Sequence, residues 1–199
     1  MRRRALFTLL LAGSLLSACA TTDSGRNLPG MASWEARKAT LSETDEWEFA
    51  GRIGVSAGED GFNGKIWWRQ DGVVFRARLS GPIGVGTIFI NGDNRELTLT
   101  ERDGTVTELE DAETDLRLRY GWTIPVTSLR YWALGIPDPS VPSEVQFNAD
   151  GLMDRLDQPP WVVTIGRYGE GGGQPMPARL TAESGDIRVR LVIDDWPFR

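Results

Sequence analysis

The sequence predicts a mainly β protein, an unclosed antiparallel β-barrel (half-barrel) with short α-helices covering an apolar cavity. Roughly ten segments alternate apolar and polar residues at short spacing, which is typical of an antiparallel meander that curls. Two helical patterns between the early and late strands can pack across the concave face. Glycines interrupt the strand patterns where a curved sheet needs bends or bulges, at Gly51, Gly54, Gly64 and Gly86.

The first residues have the pattern of a lipoprotein signal peptide. Three arginines, residues 2–4, precede an apolar run at 5–16 that is too short to span a bilayer comfortably. The next residues, Leu16-Ser17-Ala18-Cys19, resemble the bacterial lipobox, whose cysteine is acylated and becomes residue one after cleavage. Cys19 is the only cysteine. We therefore expect residues 1–18 to be removed and Cys19 to be lipidated; an uncleaved signal anchor is the alternative.

Residues 19–32 are expected to form an acylated cysteine followed by a flexible tether. The tether is predicted because the segment after Cys19 is polar and lacks periodicity. In the lipoprotein class that the lipobox resembles, the absence of Asp after the cysteine implies sorting to the outer membrane; here Ala20 follows. Loss of residues 1–18 leaves 19 basic and 28 acidic side chains, a net charge of −9. This balance argues against a nucleic-acid partner and against purely electrostatic adsorption to anionic lipid, so acyl chains must supply the membrane attachment.

The remainder, residues 33–199, has the length of one domain with a real core. Ser33 can cap a first helix that runs to about Glu46. Strands are then predicted at residues 47–55, 65–70, 73–80, 88–90, 96–100, 105–109, 144–149, 161–168, 179–182 and 187–193.

Two short helices interrupt these strands. The first spans residues 111–121, with Ala112, Leu116 and Tyr120 on one face and Gly121 as a stop signal. Thr127 or Ser128 can cap the second, which carries Leu129 and Trp132 and ends at Gly135.

The central hairpin, residues 73–91, contains an unusual turn. Gly81-Pro82-Ile83-Gly84 joins an alternating strand to Ile88-Phe89-Ile90, which is apolar on both faces, as in a strand with little access to water. Pro82 suits the second turn position and Gly84 the fourth, which leaves Ile83 at the tip. On this stretch alone two interpretations stay open. A single exposed apolar residue needs no explanation, but isoleucine is an odd choice if water is its only neighbour.

The sequence predicts no catalytic residues, no metal site and no cofactor. Histidine is absent, and the one cysteine is used for the anchor. The glycines at 81–86 and 169–173 lack the spacing of dinucleotide and phosphate loops. Asp194 and Asp195 are neighbours on an extended segment and point to opposite faces. A glycosidase pair among scattered carboxylates is the remaining enzymatic alternative.

Eight tryptophans are more than one small core readily hides, so some of them could line a cavity for sugar or lipid. An open β-barrel commonly holds such a ligand site. The residues predicted to form the cavity and its helical lid are Phe49, Ile53, Phe75, Leu79, Phe89, Leu116, Leu129 and Trp132.

Five segments also carry a family resemblance through their order and spacing: residues 51–55, 68–70, 79–84, 125–135 and 189–196. Together with the lipobox they resemble the LolB family, outer-membrane lipoproteins that receive other lipoproteins. The resemblance covers residues 34–196. One departure is Pro160 before Trp161, where the family usually has glycine.

The resemblance implies a lidded half-barrel that takes acyl chains from the periplasmic carrier LolA without a nucleotide. It also implies a protruding apolar loop residue that places cargo in the membrane; position for position this is Ile83, within Gly81, Pro82, Ile83 and Gly84. The implied partners are a LolA-like carrier, acylated lipoprotein cargo and outer-membrane lipid, for a monomer anchored on the periplasmic face. Two alternatives are a lipocalin-like lipoprotein that binds a small apolar ligand, and a structural or assembly lipoprotein of the envelope.

Overall fold

A computed structural model of the protein describes residues 28–82, 86–93 and 96–198. Cys19, Ile83 and Gly84 therefore lie outside the described residues. The helices are α1 (Trp34–Ser42), α2 (Ala112–Tyr120) and α3 (Val126–Leu134). The strands are β1 (Glu46–Ala57), β2 (Asp60–Asp71), β3 (Val74–Ser80), β4 (Ile88–Gly92), β5 (Leu97–Glu101), β6 (Val106–Leu109), β7 (Glu144–Phe147), β8 (Met153–Gln158), β9 (Trp161–Gly171), β10 (Gln174–Ser184) and β11 (Ile187–Asp195).

The strands form one antiparallel sheet in the order β6-β5-β4-β3-β2-β1-β11-β10-β9-β8-β7. Two meanders, β1–β6 and β7–β11, are joined side by side because β1 pairs with β11. The strands β6 and β7 stand at opposite ends of that order, so the sheet does not close. The predicted unclosed antiparallel barrel is confirmed. Within the described ranges no helix is long and apolar enough to cross a membrane.

Alternation along the strands buries the concave face. On β1 the buried residues include Trp47, Phe49 and Ile53, and Arg52 between them is exposed. Much of the aromatic content stacks in this core: Trp68 lies between Phe49, at 6.2 Å, and Phe75, at 4.7 Å between ring centroids. Several tryptophans are therefore core residues, as aromatic area is most stabilising when it is removed from water.

The helix boundaries differ in part from the prediction. The first helix ends at Ser42 and not near Glu46, because Glu46 already pairs with Asp71 as the first residue of β1. The second helix is as predicted, with Asp111 as N-cap and Gly121 as C-cap in the left-handed region at φ 74°.

The predicted cap of α3 is wrong. The helix begins at Val126, after Pro125, and no side chain caps it. Proline suits a helix start because the missing N–H needs no partner there. The hydroxyl of Ser128 instead donates to the Asp138 carboxylate at 2.7 Å.

Strand β8 was missed by the sequence analysis because its sequence, MDRLDQ, contains no β-branched or aromatic residue. Pro159 and Pro160 connect β8 to β9 in a tight turn, because Gln158 pairs with Trp161. The turn therefore forms although Pro160 stands where the family usually has glycine. Gln158 is 1% exposed and accepts from the Trp132 indole N–H at 2.8 Å. Its amide donates to the carbonyl of Asp138 at 2.8 Å, which fastens the α3 segment to this hairpin.

A residue before Ser33 also packs against the sheet. Leu28, within the predicted tether, is 8% exposed, and its N–H donates to the Gly172 carbonyl at 2.7 Å. Leu28 is therefore docked at the β9–β10 turn.

Gly51 lies where the two meanders join, and replacing it with alanine should be costly. A Cβ there would collide with the carbonyl oxygen of Val192 at the irregular register between β1 and β11. We expect Gly51→Ala to lower the free energy of unfolding by about 1–3 kcal/mol, measured by urea denaturation. Gly30→Ala is the matched control, because a Cβ at Gly30 meets nothing within 4 Å. Equal stability of the two variants would contradict this account.

Candidate functional site

The structure brings most of the predicted cavity residues together, beneath the helices. Phe49, Leu79, Leu116 and Leu129 are 0% exposed, and Trp132 is 1% exposed. Ile53 and Phe75 are buried in the same cluster. All seven belong to the core between the sheet and the helices, so their first role is packing.

Phe89 does not join this cluster, and its prediction as a cavity residue is wrong. Ile88 and Ile90 are buried, but Phe89 between them is 39% exposed. It pairs with Arg78 and Thr100 on the outer face of the sheet. Side chains of a strand alternate between faces, so Phe89 points away from the core that Ile88 and Ile90 enter.

An open apolar cavity of about 570 Å³ lies beside this core, between the first meander and the end of α2. It is bounded by β2, the β3–β4 connection, the β5–β6 turn and the segment after α2. Its apolar lining comprises Phe62, Pro82, Ile88, Tyr120 and Trp122. The volume falls within the range of about 300–1,000 Å³ that is usual for ligand sites.

Three aromatic rings form one wall of this cavity. Trp122 stacks on Phe62 at 5.2 Å and on Tyr120 at 5.5 Å between ring centroids. Trp122 follows α2 directly, since Gly121 turns the chain away from the helix axis. The wall therefore belongs partly to the β1–β2 hairpin and partly to the helical lid.

Polar contacts hold the lid to the sheet at the rim of the cavity. The Tyr120 hydroxyl donates to the Glu101 carboxylate at 2.7 Å, and the Arg119 guanidinium lies 3.4 Å from the same oxygen. Arg119 also donates to the Thr107 hydroxyl at 3.0 Å. Burial, together with the bond to Glu101, raises the pKa of Tyr120 to about 12. The phenol therefore stays protonated and remains a donor at neutral pH.

The predicted delivery loop begins at this cavity. Gly81 is buried and Pro82 is exposed, and both line the cavity together with Gly86. Ile83 and Gly84 lie outside the described residues. The sequence predicts the loop and the cavity as separate features. In the structure Gly81, Pro82 and Gly86 are part of the cavity wall.

Sequence reasoning missed Phe62 and did not single out Trp122 among the eight tryptophans. Phe62 falls between the strands predicted at 47–55 and 65–70, but it belongs to the first residues of β2. A lone aromatic residue among Gly, Glu, Asp and Asn is the signal that could have identified it.

The rim contact can be tested by Tyr120→Phe. Loss of the hydroxyl removes the donor to Glu101, so we expect about 1 kcal/mol of lost stability and a fall in Tm of about 2–4 °C. Glu101→Gln keeps an acceptor for the phenol and should lose less. Differential scanning calorimetry measures both variants. An unchanged Tm for Tyr120→Phe would show that the rim contact does not hold the lid.

An open antiparallel sheet with a helical lid over an apolar cavity defines a half-barrel of the kind that binds apolar ligands. In solved structures the fold is similar to a LolA superfamily protein from Nitrosomonas europaea, with a TM-score of 0.56 at 8% identity, covering 86% of this chain and 94% of that chain. A DUF1329 family protein from Desulfovibrio piger has a TM-score of 0.54 at 7% identity, covering 81% and 89%. At these identities the likeness concerns the fold alone.

Sequence comparison then identifies the family. The family model for the outer membrane lipoprotein LolB matches residues 45–196. Outer-membrane lipoproteins LolB from Pseudomonas paraeruginosa and Pseudomonas aeruginosa are each 35% identical over 100% of this chain and 98% of their own length. The LolB from Pseudomonas putida is 33% identical over 100% of this chain and 97% of its own. The chain belongs to the LolB family of outer-membrane lipoproteins, a family of lipoprotein receptors and not of enzymes.

Proposed function

We propose that this chain accepts acylated lipoproteins from a LolA-like periplasmic carrier and inserts them into the outer membrane. The acyl chains of the cargo occupy the cavity walled by Phe62, Tyr120 and Trp122, and the loop at residues 81–84 carries out delivery. One observation supports this pairing of roles most strongly. Gly81 and Pro82, the described half of the delivery loop, line the apolar cavity. Cargo held there is already beside the loop that releases it.

The physical chemistry of the cavity suits reversible transfer. Burial of an acyl chain is favourable by about 25 cal/mol per Å² of apolar surface, and it needs no charged contact. Because the mouth is open, the gain can be large enough to compete with a carrier and still allow release into lipid, where the burial is complete. Transfer then runs down an affinity gradient without a catalytic group, and one chain supplies the whole cavity, so a monomer suffices.

The anchor completes the arrangement. Acylation of Cys19 holds the protein on the periplasmic face of the outer membrane, and residues 20–27 lead from it to Leu28. Each buried methylene of the anchor contributes about 0.8 kcal/mol, so more than one acyl chain gives stable attachment.

The deciding experiment mixes an anchor-free Cys19→Ala form, secreted behind a cleavable signal, with acylated and non-acylated versions of one lipoprotein. We expect retention of the acylated version only, measured by co-purification. A matched sample with free fatty acid separates the lipocalin-like alternative, which would bind the small ligand without retaining the lipoprotein. Equal retention of both lipoprotein versions would contradict an acyl-binding role.

A further inference from the structure

The outer face of the sheet beside the β3–β4 hairpin is rich in cations. Arg52 on β1, Lys65 on β2, Arg78 on β3 and Arg190 on β11 are all exposed there. Lys65 pairs with Arg52 on one side and with Ser80, at the end of β3, on the other. The whole chain carries a net charge of −6, so these cations are concentrated on one surface against the overall balance.

The positions of two of these cations disfavour folding. Arg52 and Lys65 lie directly opposite each other on neighbouring strands, an arrangement of like charges that destabilises a sheet. Arg52 is compensated by Asp194 at 2.8 Å. Within residues 28–82, 86–93 and 96–198, no ion pair involves Lys65, Arg78 or Arg190. The surface therefore keeps a positive charge that the fold does not neutralise.

A groove of about 780 Å³ runs along this face. Its lining includes Arg52, Lys65 and Arg190, together with Gly81 and Pro82. The same two residues line the apolar cavity on the concave side. Gly81 and Pro82 thus stand between the apolar cavity and a groove whose lining includes three cations.

Aromatic side chains accompany the cations. Trp67, Arg78 and Phe89 form one cross-strand row over β2, β3 and β4 on the outer face. Trp67 is half-buried, and Phe89 is 39% exposed. Aromatic rings beside cations are typical of surfaces that meet the headgroup region of a membrane. The hairpin-side surface is defined here as Arg52, Lys65, Arg78 and Arg190 with Trp67 and Phe89.

We propose that the hairpin-side surface binds the phosphate-bearing headgroups of an anionic lipid surface and so turns the delivery loop toward the membrane. The inference rests on the proposed delivery function and adds the surface that orients it. The net charge predicts poor electrostatic adsorption, but adsorption depends on the charge that faces the lipid within a Debye length. Each basic side chain near an anionic surface contributes about fivefold in affinity.

The test measures vesicle binding by co-sedimentation, with the secreted Cys19→Ala chain and vesicles of phosphatidylglycerol or phosphatidylcholine. We expect binding to phosphatidylglycerol that weakens as salt is raised, and much weaker binding to phosphatidylcholine. Lys65→Glu combined with Arg190→Glu should lower the affinity for phosphatidylglycerol by at least about tenfold. Lys38→Glu combined with Arg167→Glu is the matched control, with the same charge change on exposed residues of α1 and β9, and should stay within about twofold.

Thermal stability provides an independent readout. Lys65→Glu places a carboxylate opposite Arg52, so its Tm should not fall although its vesicle binding does. Lys65→Gln with Arg190→Gln is a second variant that removes the charge without reversing it, and it should also bind vesicles less. A loss of binding with Tm retained supports the proposal.

Three results would overturn the proposal. They are unchanged phosphatidylglycerol binding in the Lys65→Glu/Arg190→Glu variant, an equal loss in the control pair, and a loss of cargo uptake from a carrier with vesicle binding intact. The last result would assign the surface to the carrier. Retention of acylated cargo, measured on the same proteins in solution, tests the proposed function separately from the membrane-binding surface. A parent chain that fails to retain acylated cargo contradicts the proposed function, whatever its vesicle binding.

Discussion

Replacing Ile83 by glutamate should leave uptake of acylated cargo intact but reduce its delivery into liposomes by at least about tenfold. A complete burial of this side chain in lipid would contribute roughly 1.5–3 kcal/mol, and a carboxylate would be opposed by desolvation instead. Ile83→Ala should show the same direction with a smaller loss. The measurement follows a labelled acylated lipoprotein from a carrier to this chain and then to liposomes.

Stability is the control for this result. The flanking Pro82 and Gly86 are exposed, so we expect the Tm of both Ile83 variants to stay nearly unchanged. A core isoleucine would lose about 2–5 kcal/mol on truncation to alanine, and function would then fall in step with unfolding. Delivery by Ile83→Glu at the parent rate would mean that Ile83 has no role in delivery.

Replacing Phe62 by glutamate should abolish most uptake of acylated cargo while the protein stays folded. Phe62 is half-buried near the tip of the β1–β2 hairpin and stacks on Trp122 at 5.2 Å, so the charge would stand in the cavity wall. A carboxylate there must either lose its water or keep water in the cavity, and both oppose an acyl chain. We expect at least about a tenfold loss of retention in the acylated-lipoprotein assay.

Leu118→Glu is the matched control for this variant. Leu118 belongs to the lid helix α2, but it is 82% exposed and does not line the cavity. The same charge at this position should leave uptake within about twofold of the parent, because no burial is changed. Equal losses in the two variants would argue against the cavity as the acyl site.

The structure also changes which charge substitution is informative. Leu79 is one of the residues that the sequence predicts to line the cavity, so Leu79→Glu would be the test suggested by the sequence alone. Leu79 is 0% exposed within the packed core, so Leu79→Glu would test folding and not binding. Alternation along a strand shows which side chains face inward, but it does not distinguish those that meet other side chains from those that meet an empty cavity.

Several features followed from local patterns alone. The mainly β class, the two helices near residues 111–135 and the buried face of β1 depend on periodicity that neighbouring residues determine. Gly121 and Gly135 end their helices as predicted, because a left-handed residue stops a helix wherever it folds. The lipobox at Cys19 and the tip at Ile83 are also local patterns, and they remain predictions because both residues lie outside the described part of the chain.

Other features were decided only by the tertiary structure. Phe62 and Trp122 are 60 residues apart in the chain, and no local pattern shows that they stack; the lid must first fold back over the β1–β2 hairpin. Phe89 has an apolar neighbour on each side, but the folded sheet sets it on the outer face, where it is 39% exposed. Net charge is a sum over the whole chain, whereas the cationic surface depends on the register that sets Lys65 beside Arg52. Composition and periodicity determine whether a segment forms a helix or a strand. Pairing between distant segments determines which residues its side chains contact.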